Sequence, residues 1–178
     1  GGLGGGFAPG SAARAVPASG TGRRYSGLEW AALDGAICCD LIVLSGSRFV
    51  AEQMYAQGAP VYRYYLSYLA AARQGQQPGV AHEDDIAFVM QTLDAEPDLD
   101  FLSADDLARS KLLSKYWVQF ARTGDPNADD MPLWPQFSPA APVVLEIGDS
   151  IDVRSELFEG RMQFHIQRGN DLLRRARN

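Results

Sequence analysis

Cysteine is scarce in these 178 residues: there are two, Cys38 and Cys39, side by side. Neighbouring residues rarely reach disulfide geometry, so the pair reads as reduced and buried. No Cys or His set stands at zinc-ligand spacing, and we expect neither metal nor cofactor. Histidine is equally rare, with only His82 and His165. Positive charge is outweighed: 16 Lys and Arg against 22 Asp and Glu leave a net charge of -6. A net anion offers no attraction to nucleic acid or to an anionic membrane. The basic cluster Arg168, Arg174, Arg175 and Arg177 suits the last turns of a helix, where cations complement the dipole. No apolar run is long enough to span a bilayer. The chain does not begin with Met and carries no signal-peptide pattern, so the compartment stays unassigned.

What is there is a core. The hydrophobic fraction of 46% fits a globular protein, in a chain long enough for one domain. Residues 1–27 are rich in Gly, Ala, Ser and Pro, with no acid before Glu29, which reads as a flexible segment or exposed loop. Glu29 to Ala36 suits a short helical piece. Apolar spacing predicts a helix from Ser45 to Gln57, stopped by Gly58 and Pro60. Val61 to Tyr68 is dense in aromatic and β-branched residues and reads as a strand. Ala70 to Pro78 is a polar loop. Asp84 to Leu93 reads as a short helix or turn with Ile86, Phe88 and Val89 inward, followed by an acidic loop from Asp94 to Asp100. Ser103 with Asp105 and Asp106 is a helix start. Leu113, Trp117 and Phe120 share one face of that helix, which Gly124 and Pro126 end. Pro142 to Ile147 reads as a second strand, closed by Gly148-Asp149. The tail from Ser155 is helical, with Phe158, Met162, His165 and Leu172 on one face. Helix and strand in this order suit α/β layering, with too few strands for an independent doubly wound sheet.

The stretch Pro78-Gly79-Val80-Ala81-His82-Glu83-Asp84-Asp85 carries the chemistry. It sets His82 in a Gly-bounded turn before an amphipathic run, and from such a turn an imidazole can reach over a site as a general base. His165 has no ligand companions and reads as a partly buried packing residue.

Five motifs then stand in order over roughly residues 36–147. They are Asp40, with Ala51 eleven positions later in the helix before the strand; Pro60-Val61-Tyr62-Arg63-Tyr64-Tyr65; Gly79-Val80-Ala81-His82 with an acid at Asp85 and Phe88-Val89; Trp117 leading into Phe120-Ala121-Arg122-Thr123-Gly124-Asp125-Pro126-Asn127; and Trp134-Pro135. In this order they resemble the type-B carboxylesterases, the cholinesterases included, which share the α/β-hydrolase fold. The resemblance implies that His82 is the base of a catalytic triad. It matches Asp85 to an acid of the polar network near the site, although a solvated first-turn acid explains Asp85 as well. Gly4-Gly5-Gly6-Phe7-Ala8-Pro9-Gly10-Ser11 is similar to the family's oxyanion-hole loop, which would make the N–H groups of Gly5 and Gly6 the donors. Leu3 stands where the family has His or Tyr, and a plain Gly-rich linker has the same composition.

The family's nucleophile, a serine in a Gly-x-Ser-x-Gly elbow, is not among these residues. Ser45-Gly46-Ser47 and Ser19-Gly20-Thr21-Gly22 do not fit it. The triad acid has no match either; Asp34 and Asp40 are the nearby aspartates, and Asp40 already fits the family's helix-start position. The resemblance therefore implies a partial α/β-hydrolase fold. Residues 1–27 would be the oxyanion segment and 28–178 the C-terminal part of the domain, with the middle missing. It implies a carboxylic ester hydrolase by Ser-His-acid acyl transfer, with negligible activity in this polypeptide. A reading from another class is a non-catalytic, cholinesterase-like binding protein. The partners implied are a small ester in intact relatives and a second copy docked through the C-terminal helix, for which core packing is the plainer role. A strand at 61–68 without its central neighbours is expected to expose an aggregation-prone edge.

Overall fold

The computed structural model describes residues 43–155 and 159–176. The 29–36 piece, the cysteine pair and the glycine loop lie outside the described residues. The chain divides into two compact units, residues 46–159 and residues 1–45 with 160–178, and each is described by itself.

The larger unit holds nearly all of α1 (Ser45–Ala56), then β1 (Tyr64–Leu66), α2 (Asp84–Met90), α3 (Ala104–Thr123), β2 (Val143–Ile147) and β3 (Ile151–Ser155). Gly58, at φ +78°, follows α1 in the left-handed region that glycine enters without strain. The sheet runs β1-β2-β3. β1 pairs parallel with β2, Tyr64 opposite Leu145, and β2 pairs antiparallel with β3, Leu145 opposite Val153.

The first strand is shorter than its sequence predicts. The Val61 carbonyl accepts from the Phe137 N–H at 2.8 Å, and the Arg63 carbonyl accepts from the Trp134 indole at 2.9 Å. The 134–137 loop thus takes up the start of the segment. At the other end the N–H groups of Ser67 and Tyr68 both donate to the Ile147 carbonyl, 3.0 Å each, and the ladder stops. β3 was not expected. Ile151-Asp152-Val153-Arg154-Ser155 alternates with period two, but it directly follows Gly148-Asp149-Ser150, which reads as a terminating turn. In the structure that turn closes a hairpin, with the Gly148 N–H donating to the Ser150 carbonyl at 2.9 Å.

The core gathers Leu66, Tyr68, Phe88, Leu113, Tyr116, Trp134, Leu145 and Ile147. The face of α3 that enters it is Asp106, Ser110, Leu113 and Tyr116, at steps of four, three and three. Trp117 is only half-buried and Phe120 is exposed, so the expected Leu113-Trp117-Phe120 face is displaced by about one residue. Ile86 is exposed too, against expectation, while Ala87, Phe88 and Val89 are buried. At about 100° per residue a two-residue step carries a side chain past the far side, so Ile86 cannot share Phe88's face.

α4 (Glu159–Ala176) belongs almost wholly to the smaller unit. Met162 and His165 are buried on it, as their shared face predicts. Phe158 lies outside the described residues, and so does the side chain of Leu172. Arg174 and Arg175 stand in its last turn, and Arg174 pairs with Asp171 at 2.9 Å.

Candidate active site

The turn that bears His82 is built from three segments. The first is a short 3-10 turn, Ala71–Arg73, which buries the Arg73 side chain. The second is the start of α2, where Asp84 and Asp85 fill the first turn. The third is the acidic loop beyond α2. The Arg73 guanidinium donates to Asp98 through Nε (2.7 Å) and Nη2 (2.8 Å), to Asp84 Oδ1 through Nη1 (3.0 Å), and to Glu96 through Nη2 (3.4 Å). The other oxygen of Asp84 accepts from the Ala81 N–H at 2.7 Å. Hydrogen bonding to Asp98 raises the Arg73 pKa, and the same pair holds the Asp98 carboxyl below the usual range. Arg73 was not singled out from sequence. The available signal was a lone arginine in the polar loop facing a run of acids.

His82 itself is exposed and makes no side-chain hydrogen bond with the described residues. Glu83, next to it, is at φ +78°, an uncommon conformation for a non-glycine residue, and it turns the chain into α2. Asp85, one turn on, accepts a hydrogen bond from the Tyr64 hydroxyl. Burial raises the Tyr64 pKa most, and the bond to Asp85 and its negative charge raise it further. The sequence placed Asp85 by motif; Tyr64 as its partner follows only from the packing of β1 beside α2.

Tyr64 also belongs to an aromatic cluster. Its ring meets Trp117 edge-on at 4.9 Å and Trp134 at 5.7 Å. These three with Tyr62, Tyr116, Phe120 and Pro126 line a cavity of about 200 Å³. A second hollow of about 270 Å³ lies between α1 and β1, lined by Val50, Ala51, Met54 and Val61 to Tyr64. His82 lines neither. Tyr62 lines both, whereas Phe88 is fully buried in the core.

One buried carboxylate ties the region to α3. Asp106 is the acid of a capping box: it accepts from the Ser103 N–H and hydroxyl, 2.8 Å each, while its own N–H donates to Ser103 Oγ at 3.1 Å. It also accepts from the Tyr68 hydroxyl at 2.9 Å and the Ala71 N–H at 3.1 Å. Burial pushes this carboxyl upward, but the bonds from Ser103, Tyr68 and Ala71 outweigh it and hold the pKa low. The cap was legible in Ser103-x-x-Asp106; the two long-range bonds that make Asp106 a pivot for the Arg73 turn were not.

The sequence-derived candidates are thus only partly brought together. His82 and Asp85 share one end of α2, but the structure places no described acid or nucleophile on the imidazole. Gly5 and Gly6 lie outside the described residues. Among the described residues no cluster of three or more His, Cys, Asp or Glu could hold a metal ion, and no helix is long and apolar enough to cross a membrane.

Known proteins resemble part of this chain. A phenmedipham hydrolase of Pseudarthrobacter oxydans is 32% identical over 124 residues, 67% of this chain and 24% of the relative. Carboxylesterase 5A of Felis catus is 30% identical over 113 residues, 60% of this chain and 21% of the relative. The chain spans about a quarter or less of these relatives' length. The crystal structure of a carboxylesterase from Geobacillus stearothermophilus superposes with a TM-score of 0.61 at 25% identity, covering 77% of this chain and 27% of that one. The described fold is therefore part of an α/β-hydrolase fold. Residues 29–165 match the model of the carboxylesterase family, and the motifs around His82, Asn127 and Trp134 fall inside that span: the chain belongs to the carboxylesterase family.

Proposed function

We propose that His82 is the histidine of a Ser-His-acid machinery that hydrolyses carboxylic esters. In that reaction a serine attacks the ester carbonyl while His82 takes its proton. The N–H groups of Gly5 and Gly6 hold the oxyanion, His82 returns the proton to the leaving alcohol, and water releases the acyl group. The observation that carries this reading is an exposed imidazole without side-chain partners, on a turn whose backbone is fixed by Asp84, inside the span that matches the family. A base must be free to reach its proton donor, and its carrier must not wander. Asp85 is proposed as a support of the same region, through Tyr64.

The 178 residues hold no Gly-x-Ser-x-Gly elbow, so this polypeptide by itself forms no acyl-enzyme. Incubated with 4-nitrophenyl acetate it is expected to give no burst, and a fluorophosphonate probe is expected to leave it unlabelled; a labelled serine would overturn this. The role of His82 is tested in a chimera. Residues 43–155 replace the matching stretch of the Geobacillus carboxylesterase, which supplies its own serine. His82→Asn in that chimera should lower kcat/KM by at least about 10³-fold, the scale of losing a triad member. An active chimera indifferent to His82→Asn would refute the assignment.

A further inference from the structure

We infer that Arg73 is a positioning residue that fixes the place of His82, acting through Asp84; this rests on the reading of His82 as the base. Between Arg73 and His82 lie eight residues, among them Gly75, Pro78 and Gly79, and none of them forms an α-helix or a strand. Such a segment has little of its own to hold the histidine in one place. The structure supplies a short chain of charge-assisted bonds instead. Arg73 is buried, and its fork grips Asp98 with two donors and Asp84 with a third. Asp84 spends one oxygen on Arg73 and the other on the Ala81 N–H, the amide immediately before His82. The Ile86 N–H donates to the Glu83 carbonyl at 3.0 Å, closing the turn from the other side.

The geometry singles out arginine. Only a planar fork with several donors reaches two carboxylates in different directions at once. A lysine, with its donors on a single nitrogen, could not reproduce the two-donor grip on Asp98 together with the bond to Asp84. The guanidinium is itself held in place from behind: Asp106 receives the Ala71 N–H two residues before it, so the 3-10 turn is tied to the N-terminus of α3. The path runs α3, Asp106, the Arg73 turn, Asp84, Ala81 and His82, with a hydrogen bond at each step up to Ala81. No bond in this path is made to the imidazole, which stays exposed.

Amide hydrogen exchange and histidine side-chain NMR on the 178-residue protein test this. Arg73→Gln should speed exchange of the Ala81 amide by at least about tenfold, the worth of a hydrogen bond to a charged group. The His82 ring resonances should move toward those of a free histidine peptide, while those of His165 stay in place. Asp84→Ala should do the same, and Arg73→Gln added to Asp84→Ala should change Ala81 no further, because the relay is already cut. Asp84→Ala removes a partly exposed residue and serves as the folding-safe arm. Unchanged Ala81 exchange in Arg73→Gln would overturn the proposal. So would an Arg73→Gln effect on the His82 resonances that persists in full without Asp84, which would mean action through Asp98 or general loosening. Failure of His82 as a base would appear in the chimera assay and leave these exchange rates untouched.

Discussion

Asp106 concentrates more structural consequence than any other polar residue described in the larger unit. It is fully buried and charged, which is tolerable because four hydrogen bonds converge on its carboxylate from Ser103, Tyr68 and Ala71. Replacing it with Ala removes the acid half of the capping box of a twenty-residue helix, leaves Ser103 as its cap, and strands the Tyr68 hydroxyl and the Ala71 N–H in the interior. We expect Asp106→Ala to cost about 3 kcal/mol, chiefly two unsatisfied donors with the lost half of the capping box added, read from urea denaturation. Asp106→Asn should cost less, since its amide oxygen still accepts. The sequence disclosed the cap, because Ser-x-x-Asp is a local pattern. It could not disclose Tyr68, thirty-eight residues away, because that contact is set by where the segment after β1 meets the start of α3.

At the scale of elements, α3 was legible from end to end. Ser103 starts it, and Gly124 ends it at φ +78° with its N–H on the Phe120 carbonyl at 2.7 Å. That conformation belongs to glycine, so Gly124→Ala should destabilise the unit by about 1 kcal/mol, seen as a lower melting temperature with helix content by circular dichroism unchanged. The neighbouring Asp125-Pro126-Asn127 turn is locked by its own bonds: the Asn127 amide donates to Asp125 at 2.7 Å and to the Trp134 carbonyl at 3.0 Å. The sheet was less legible. β3 carries Asp152 and Arg154, and nothing local says that these charges sit on an exposed hairpin. Arg154 answers Glu146 across the pair at 2.8 Å, a partner known only once the register is known. The face of α2 failed for a different reason: Ile86 and Phe88 stand two residues apart, a spacing that suits a strand and that a helix places on opposite sides, so the two were never compatible with one inward helical face.

For the whole molecule, the titrating groups set a pH window. Asp98, Asp106, Asp125 and Asp130 all have carboxyls held below the ordinary value of 3.8, by Arg73, by Ser103 with Tyr68 and Ala71, by Asn127, and by Lys115 respectively. A lowered folded pKa means that the unfolded chain binds protons first as pH falls. Their stabilisation is complete above about 3.8 and is lost below it. Burial pushes Tyr68 and Tyr116 up to about 12 from 10.0. There the unfolded chain loses its protons first, so stability is complete below 10 and declines as pH rises toward 12. The melting temperature, followed by calorimetry from pH 2 to 12, should therefore fall on both flanks, and Asp106→Asn should flatten the acid one. A profile without an acid flank would count against the carboxylate network.

The sequence by itself determined the family and the start and end of α3. It also placed α1, the second strand and the histidine turn, because these depend on local signals: caps, glycine stops, aromatic runs and motif order. Only the tertiary structure decided that Arg73 meets Asp84 and Asp98, that Asp106 receives Tyr68 and Ala71, that Tyr64 answers Asp85, and that Ile86 is exposed. Each of those rests on groups distant in sequence meeting in space, where burial turns an ordinary charge or hydroxyl into a bond that must be made.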